Sequence, residues 1–196
     1  MRTTKLMAIA VIVACLLSVS AVGVWAESEA SSSPEASASI APSAGFDPSL
    51  GPPEVEGISW DRIDVRTGEE IAAGADEQTL SELDALMAAT GGSYDRFIQL
   101  FASAADPETG VIGSYSVISV AGADTGSLEQ ALLGLLREAS NADEFAFEET
   151  QIGGRDVTLM RESPESQGVL VVIGDAAYAL ELPPEHMAAV VEALPE

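Results

Sequence analysis

Leu6 to Trp25 is a charge-free, strongly apolar run behind a basic tip, Arg2 and Lys5, and a Ser/Ala/Pro/Glu-rich stretch from Glu27 to Pro53 follows it. That order reads as export signal, spacer and folded cargo. Only the chain beyond residue 54 is then left to build a domain. The expected organisation is a signal peptide or signal anchor over 1–26, a disordered spacer over 27–54 and a single domain over 55–196. The spacer has too little apolar content to offset the entropy of ordering it, and its prolines keep it extended. It would hold the domain away from a membrane or wall.

Arg2 and Lys5 keep the N-terminus in the cytoplasm by the positive-inside rule, which puts the chain beyond Trp25 outside. Three fates of the leader stay open. Val24 and Ala26 occupy the −3 and −1 positions of a signal-peptidase site, so cleavage after Ala26 is one. The run Leu6 to Trp25 is roughly 30 Å long as a helix, enough to cross a bilayer, so an uncleaved anchor is the second. The third is lipid attachment: Ile12-Val13-Ala14-Cys15 resembles the lipobox of bacterial lipoproteins, although Leu16, Leu17, Val19, Val22 and Val24 continue the apolar run where that motif has a polar spacer.

Cys15 is the only cysteine. The exported part therefore forms no disulfide, carries no thiol nucleophile and offers no Cys-ligated zinc site. It has to be held by its core, and about 140 residues suffice for one domain that buries roughly two-thirds of its surface. Arg2 and Lys5 take two of the eight basic residues, which leaves six arginines (62, 66, 96, 137, 155 and 161) against 32 acids, a balance of −26. Nucleic acid and anionic lipid headgroups are repelled by such a field. The acids are spread along the chain, which suits a solvated surface and also a saline medium, where screening offsets the self-repulsion.

Apolar spacing gives the expected elements. Ile58 to Val65 reads as a strand whose alternation breaks between Trp60 and Ile63, which calls for a bulge or an edge position. Thr79 with Glu82 reads as a capping box opening a helix with Leu80, Leu83, Leu86 and Met87, stopped by Gly91-Gly92. Tyr94, Phe97, Ile98 and Phe101 fall at helical spacing after Ser93. Val111 to Ala121 reads as a strand. Ser127 with Gln130 reads as a second capping box before the stripe Leu128, Ala131, Leu132, Leu135, Leu136 and Ala139. Four strands follow: Phe145 to Ile152, Arg155 to Arg161, Val169 to Ile173 and Ala177 to Leu182. Gly153-Gly154 and Gly174-Asp175 are two-residue hairpin turns, and Ser163 to Gly168 is a polar loop. Pro183-Pro184 opens a last helix with Met187, Val190, Val191 and Leu194 on its buried side. The predicted fold class is α+β, a mainly antiparallel sheet of about five to six strands covered on one face by about four helices, a two-layer sandwich.

The run Gln151 to Met160 with its Gly153-Gly154 turn, the run Gly168 to Tyr178, and the helix ending Val191 to Pro195 resemble uncharacterised bacterial envelope domains of the secreted or lipoprotein type. The resemblance covers roughly the last third of the chain and rests on turn and core positions. It implies an extracytoplasmic α+β module and no activity.

No catalytic residue, cofactor-binding residue, metal ligand or cofactor is assigned. His186, the only histidine, sits at the start of the last helix without a Gly-x-Ser-x-Gly elbow or a second histidine for a metal, and is expected at the surface or as a cap. The acid pairs Glu69-Glu70, Glu148-Glu149 and Asp61 with Asp64 are expected from composition alone, and neighbouring acids in a strand point to opposite faces, unlike the facing carboxyls of a glycosidase. The loops Asp106 to Gly110 and Gly122 to Gly126 hold oxygen ligands fit for calcium but lack EF-hand spacing, and Asp and Gly belong in turns anyway. Gly153-Gly154 joins strand to strand, so it cradles no phosphate. The expectation is a non-catalytic extracytoplasmic binding or interaction module of the cell envelope, secreted or tethered to the outer face of the cytoplasmic membrane. Its partner would be a protein, a cell-wall component or a small apolar ligand, with no nucleic acid, and the membrane would be met only through the N-terminal segment. The alternatives are a carboxylate-dependent envelope hydrolase and a carrier of a small apolar ligand.

Overall fold

A computed structural model describes residues 46–106, 110–139, 146–163 and 166–196. The leader with Cys15, residues 27–45 of the spacer, Pro107 to Thr109 of the first candidate calcium loop, Phe145, and Pro164 and Glu165 of the expected polar loop lie outside the described residues.

The chain runs β1 (Ser59–Thr67), α1 (Gly68–Gly74), α2 (Glu77–Thr90), β2 (Phe97–Asp106), β3 (Gly110–Val120), α3 (Thr125–Ala139), β4 (Ala146–Ile152), β5 (Arg155–Ser163), β6 (Ser166–Ile173), β7 (Ala176–Glu181) and α4 (Pro184–Glu192). The strands form one seven-stranded antiparallel sheet in the order β1-β2-β3-β7-β6-β5-β4. Two meanders, β1–β3 and β4–β7, meet where β3 pairs with β7, and α3 carries the chain from the middle of the sheet to its far edge. The α+β class and the antiparallel sheet agree with the sequence reading. The count of five to six strands does not, because 97–106 is a strand and not the helix expected after Ser93; only Tyr94–Arg96 turns, as a 3-10 segment.

Both faces of the sheet are buried, where the sequence reading covered one and made two layers. On one face Leu100, Tyr115, Val117, Val169, Tyr178 and Leu180 pack with Met187, Val190, Val191 and Leu194 at the C-terminal end of the chain. On the other, Phe97, Ile118, Val120, Met160, Leu170 and Ala177 pack beneath Leu83, Leu86 and Met87 of α2 and Leu128, Leu132 and Leu136 of α3. The folded unit also starts before residue 55. Phe46 and Leu50, placed in the spacer by composition, join the first of these clusters.

The broken alternation of β1 has a structural cause. The pairing with β2 shifts register between Asp61 and Asp64, and Arg62 stands at φ 48, a left-handed conformation rare for a non-glycine residue. The extra residue turns Ile63 and Val65 back to the face that Ile58 and Trp60 share. Helix starts also differ from expectation. Asp76, not Thr79, caps α2, its carboxylate accepting the Thr79 N–H at 2.8 Å. Asp124 does the same for α3, accepting from Ser127 N–H at 3.1 Å. A capping box does form between Thr67 and Glu70, which opens α1. Among the described residues no helix is long and apolar enough to cross a membrane.

Candidate functional site

The Gly153-Gly154 turn sets the site. Both glycines have positive φ, 58° and 79°, as the favoured two-residue hairpin turn requires. A two-residue turn leaves no freedom of register, so Ile152 faces Arg155, Gln151 faces Asp156 and Glu149 faces Thr158. Thr158 in turn pairs with Leu170 on β6, and Leu170 with Ala179 on β7. Leu170 and Ala179 belong to the cluster under α3, and paired residues share a face. Glu149, Thr158 and Leu170 therefore form one row facing the helix side.

Helix α3 crosses above this row at one end. Its start is fixed by the Asp124 cap and by Thr125, whose hydroxyl donates to the Gly174 carbonyl at 2.7 Å. Leu128 is then fully buried, and the next residue, Glu129, lies half-buried at the helix flank. The helix leaves the outer part of β4, β5 and β6 uncovered, and an open groove of about 530 Å³ remains there. Leu170 and Val172 give it apolar lining, Thr158 and Gln151 neutral polar groups, and Glu129, Glu149 and Asp156 three carboxylates, while Thr150 and Val157, a pair on the other face, complete its wall. The Gln151 amide donates to Asp156 Oδ1 at 2.8 Å.

No basic side chain lines the groove. The arginines near it are engaged elsewhere: Arg137 lies over the Phe147 ring at 5.3 Å, Arg155 donates to the Leu194 and Pro195 carbonyls at 2.6 and 2.8 Å, and Arg161 stands 3.7 Å from Glu148. Such a groove is a cation-attracting slot with an apolar floor. It has no histidine, cysteine, serine or lysine, hence none of the usual nucleophile–base pairs.

The residues singled out from sequence scatter. His186 is half-buried at the start of α4, with its backbone N–H donating to the Pro183 carbonyl at 3.0 Å. Its Cε1 lies 3.4 Å from where a side chain on Gly57 would begin. Glu70 is spent in its capping box, Asp64 is paired with Arg66 at 2.9 Å, and Asp124 of the second candidate calcium loop is a helix cap. Among the described residues no group of three or more His, Cys, Asp or Glu side chains is arranged to hold a metal ion. Of the expected acid pairs only Glu148-Glu149 touches the groove, and through Glu149 alone, while Glu148 pairs with Arg161. Gln151, Asp156 and Thr158 were not singled out from sequence, although the Gly153-Gly154 turn fixes their pairing. Glu129 carried no comparable signal. No protein-family model, curated protein or solved structure matches the chain.

Proposed function

We propose that the chain is a non-catalytic binding module of a bacterial cell envelope, exported through its leader and either released or held at the outer face of the cytoplasmic membrane. The observation that carries the binding reading is the groove over β4–β6: open, apolar at its floor, edged by carboxylates, and without a nucleophile–base pair. Its placement agrees with a tethered role. The N-terminal segment from Phe46 onward packs with the opposite face of the sheet, so a spacer leading to a membrane or wall would leave the groove on the free side.

Glu129, Glu149 and Asp156 around one groove also favour a second reading, a carboxylate-dependent hydrolase of the envelope. Carriage of a small apolar ligand draws less support, because Leu128, Leu132 and Leu136 fill the space between α3 and the sheet. Export is tested by native mass spectrometry of the protein recovered from its host's envelope and medium: a chain starting at Glu27, a retained leader or an acyl adduct is expected, and recovery from the cytosol alone overturns it. The non-catalytic reading is tested by incubating the full chain with envelope polysaccharide and peptidoglycan. No turnover is expected, and turnover that vanishes in Glu149→Gln defeats it in favour of the hydrolase.

A further inference from the structure

We propose that the groove and the free edge of β4 together take a basic, extended polypeptide segment, whose backbone pairs with β4 and whose Lys or Arg side chains lie over Glu149 and Asp156. This rests on the binding reading given above and names the class of partner.

Three observations converge. The first is charge. Three carboxylates line the groove and no basic side chain does, although six arginines are spread through the domain. An ammonium or guanidinium group on an aliphatic stem matches this lining: the charge meets the carboxylates, and the stem covers Leu170 and Val172. The second is Thr158. It is only 5 % exposed and lines the groove, in the row between Glu149 and Leu170. A threonine hydroxyl can accept as well as donate, so Thr158 offers the groove an acceptor for a bound N–H donor.

The third observation separates a polypeptide from a free diamine. The sheet has two end strands. β1 is protected by its bulge, with Arg62 at φ 48 breaking the register, a device that blunts edge pairing. β4 is the other end strand and pairs with β5 without a register shift over its full length, Ala146 to Ile152. Its outer N–H and C=O groups meet no strand among the described residues. A strand laid on that edge places alternate side chains on the groove side, next to Glu149 and Gln151. A second copy of this chain is a poor occupant, since each exported part carries a balance of −26 and copies repel.

The test uses the full chain and a fluorescent octapeptide of alternating lysine and valine, followed by anisotropy at low and at physiological salt. Binding is expected and should weaken as salt rises. The double substitution Glu149→Gln/Asp156→Asn, isosteric and at exposed positions, should weaken it about fivefold. Glu148→Gln, which removes one charge from the neighbouring residue on the opposite face, should leave it unchanged. Equal losses in the two variants would reduce the effect to net charge and overturn the proposal. So would a peptide N-methylated along its pairing edge that binds as well as the parent, or spermine that competes as well as the peptide, because β4 would then play no part. Absence of peptide binding defeats this partner class alone, whereas the non-catalytic reading falls only to turnover.

Discussion

The Tyr115 hydroxyl donates to the Leu50 carbonyl at 3.0 Å and lies 3.2 Å from that of Gly51. Sixty-five positions separate Tyr115 from Leu50, so this contact ties the N-terminal segment to the centre of the sheet. Trp60 reinforces it: its indole N–H donates to the Pro53 carbonyl at 2.7 Å, and its ring meets Tyr115 edge-on with centroids 5.4 Å apart. Tyr115→Phe keeps the ring and removes the donor, leaving two carbonyls short of a partner. A loss of about 1–2 kcal/mol is expected. Urea unfolding measures that loss, and limited proteolysis should show faster cleavage between Phe46 and Ile58 than in the parent.

Two glycines should respond in opposite directions to the same methyl group. At Gly113 in β3 a Cβ would come within 1.9 Å of the Glu181 carbonyl oxygen, which is backbone and has no rotamer to yield. Gly113→Ala should cost about 3 kcal/mol by forcing β3 away from the end of β7. At Gly134 in the middle of α3 a Cβ meets nothing within 4 Å. Gly134→Ala should stabilise the domain by about 0.5–1 kcal/mol, the difference in helix preference between the two residues. Thermal midpoints of the two variants, read beside the parent, check both signs at once.

The domain should lose stability on the alkaline side through its tyrosines. Burial, with Asp47 and Asp175 adding to it, pushes the Tyr178 phenol from 10.0 to about 12. Burial does the same to Tyr115, further still. Above pH 10 the unfolded chain sheds the Tyr178 proton while the folded chain keeps it. The unfolded state then binds fewer protons, so stability falls as pH rises toward the folded value, by up to about 1.4 kcal/mol per pH unit for each such group. Below the ordinary tyrosine range this contribution is fully present. Urea midpoints taken between pH 8 and pH 12 should be flat for this group at first and then decline, and Tyr178→Phe should make the decline shallower.

What the sequence revealed depended on whether one face of an element met water. α3 and α4 each carry a polar side, so their stripes were readable, and Leu128, Leu132, Leu136, Met187, Val190, Val191 and Leu194 are all buried. β2 has no such side at its centre. Phe97 is buried toward the helices while Leu100, Ala102 and Ala104 are buried toward the other face, so polar alternation vanishes and the aromatic spacing imitates a helix. That misreading also cost one strand and the second covered face. The caps were misplaced by three residues for a related reason: Asp76 and Thr79, like Asp124 and Ser127, are both capping types, and only the chain geometry says which carboxylate or hydroxyl is outside the helix. Half of the groove was within reach, because a Gly-Gly turn dictates that Glu149 faces Thr158 and Gln151 faces Asp156. The other half needs the strand order, since Glu129 reaches this row only because α3 crosses the sheet toward β6 and β7.

The tip of the β6–β7 hairpin holds the start of that crossing. Asp175 accepts twice from the β3–α3 connection: its carboxylate takes the Gly122 N–H at 2.7 Å and its backbone carbonyl takes the Val120 N–H at 3.0 Å. Asp175→Ala removes only the first of these. The expected cost is about 1 kcal/mol, as for one charge-assisted bond near the surface. Hydrogen exchange distinguishes this from a general loosening. The Gly122 amide should lose its protection while the Val120 amide, whose acceptor is backbone, should keep it. If both amides speed up together, the hairpin tip has let go of α3 altogether, and the groove edge formed by Glu129 should be disturbed with it.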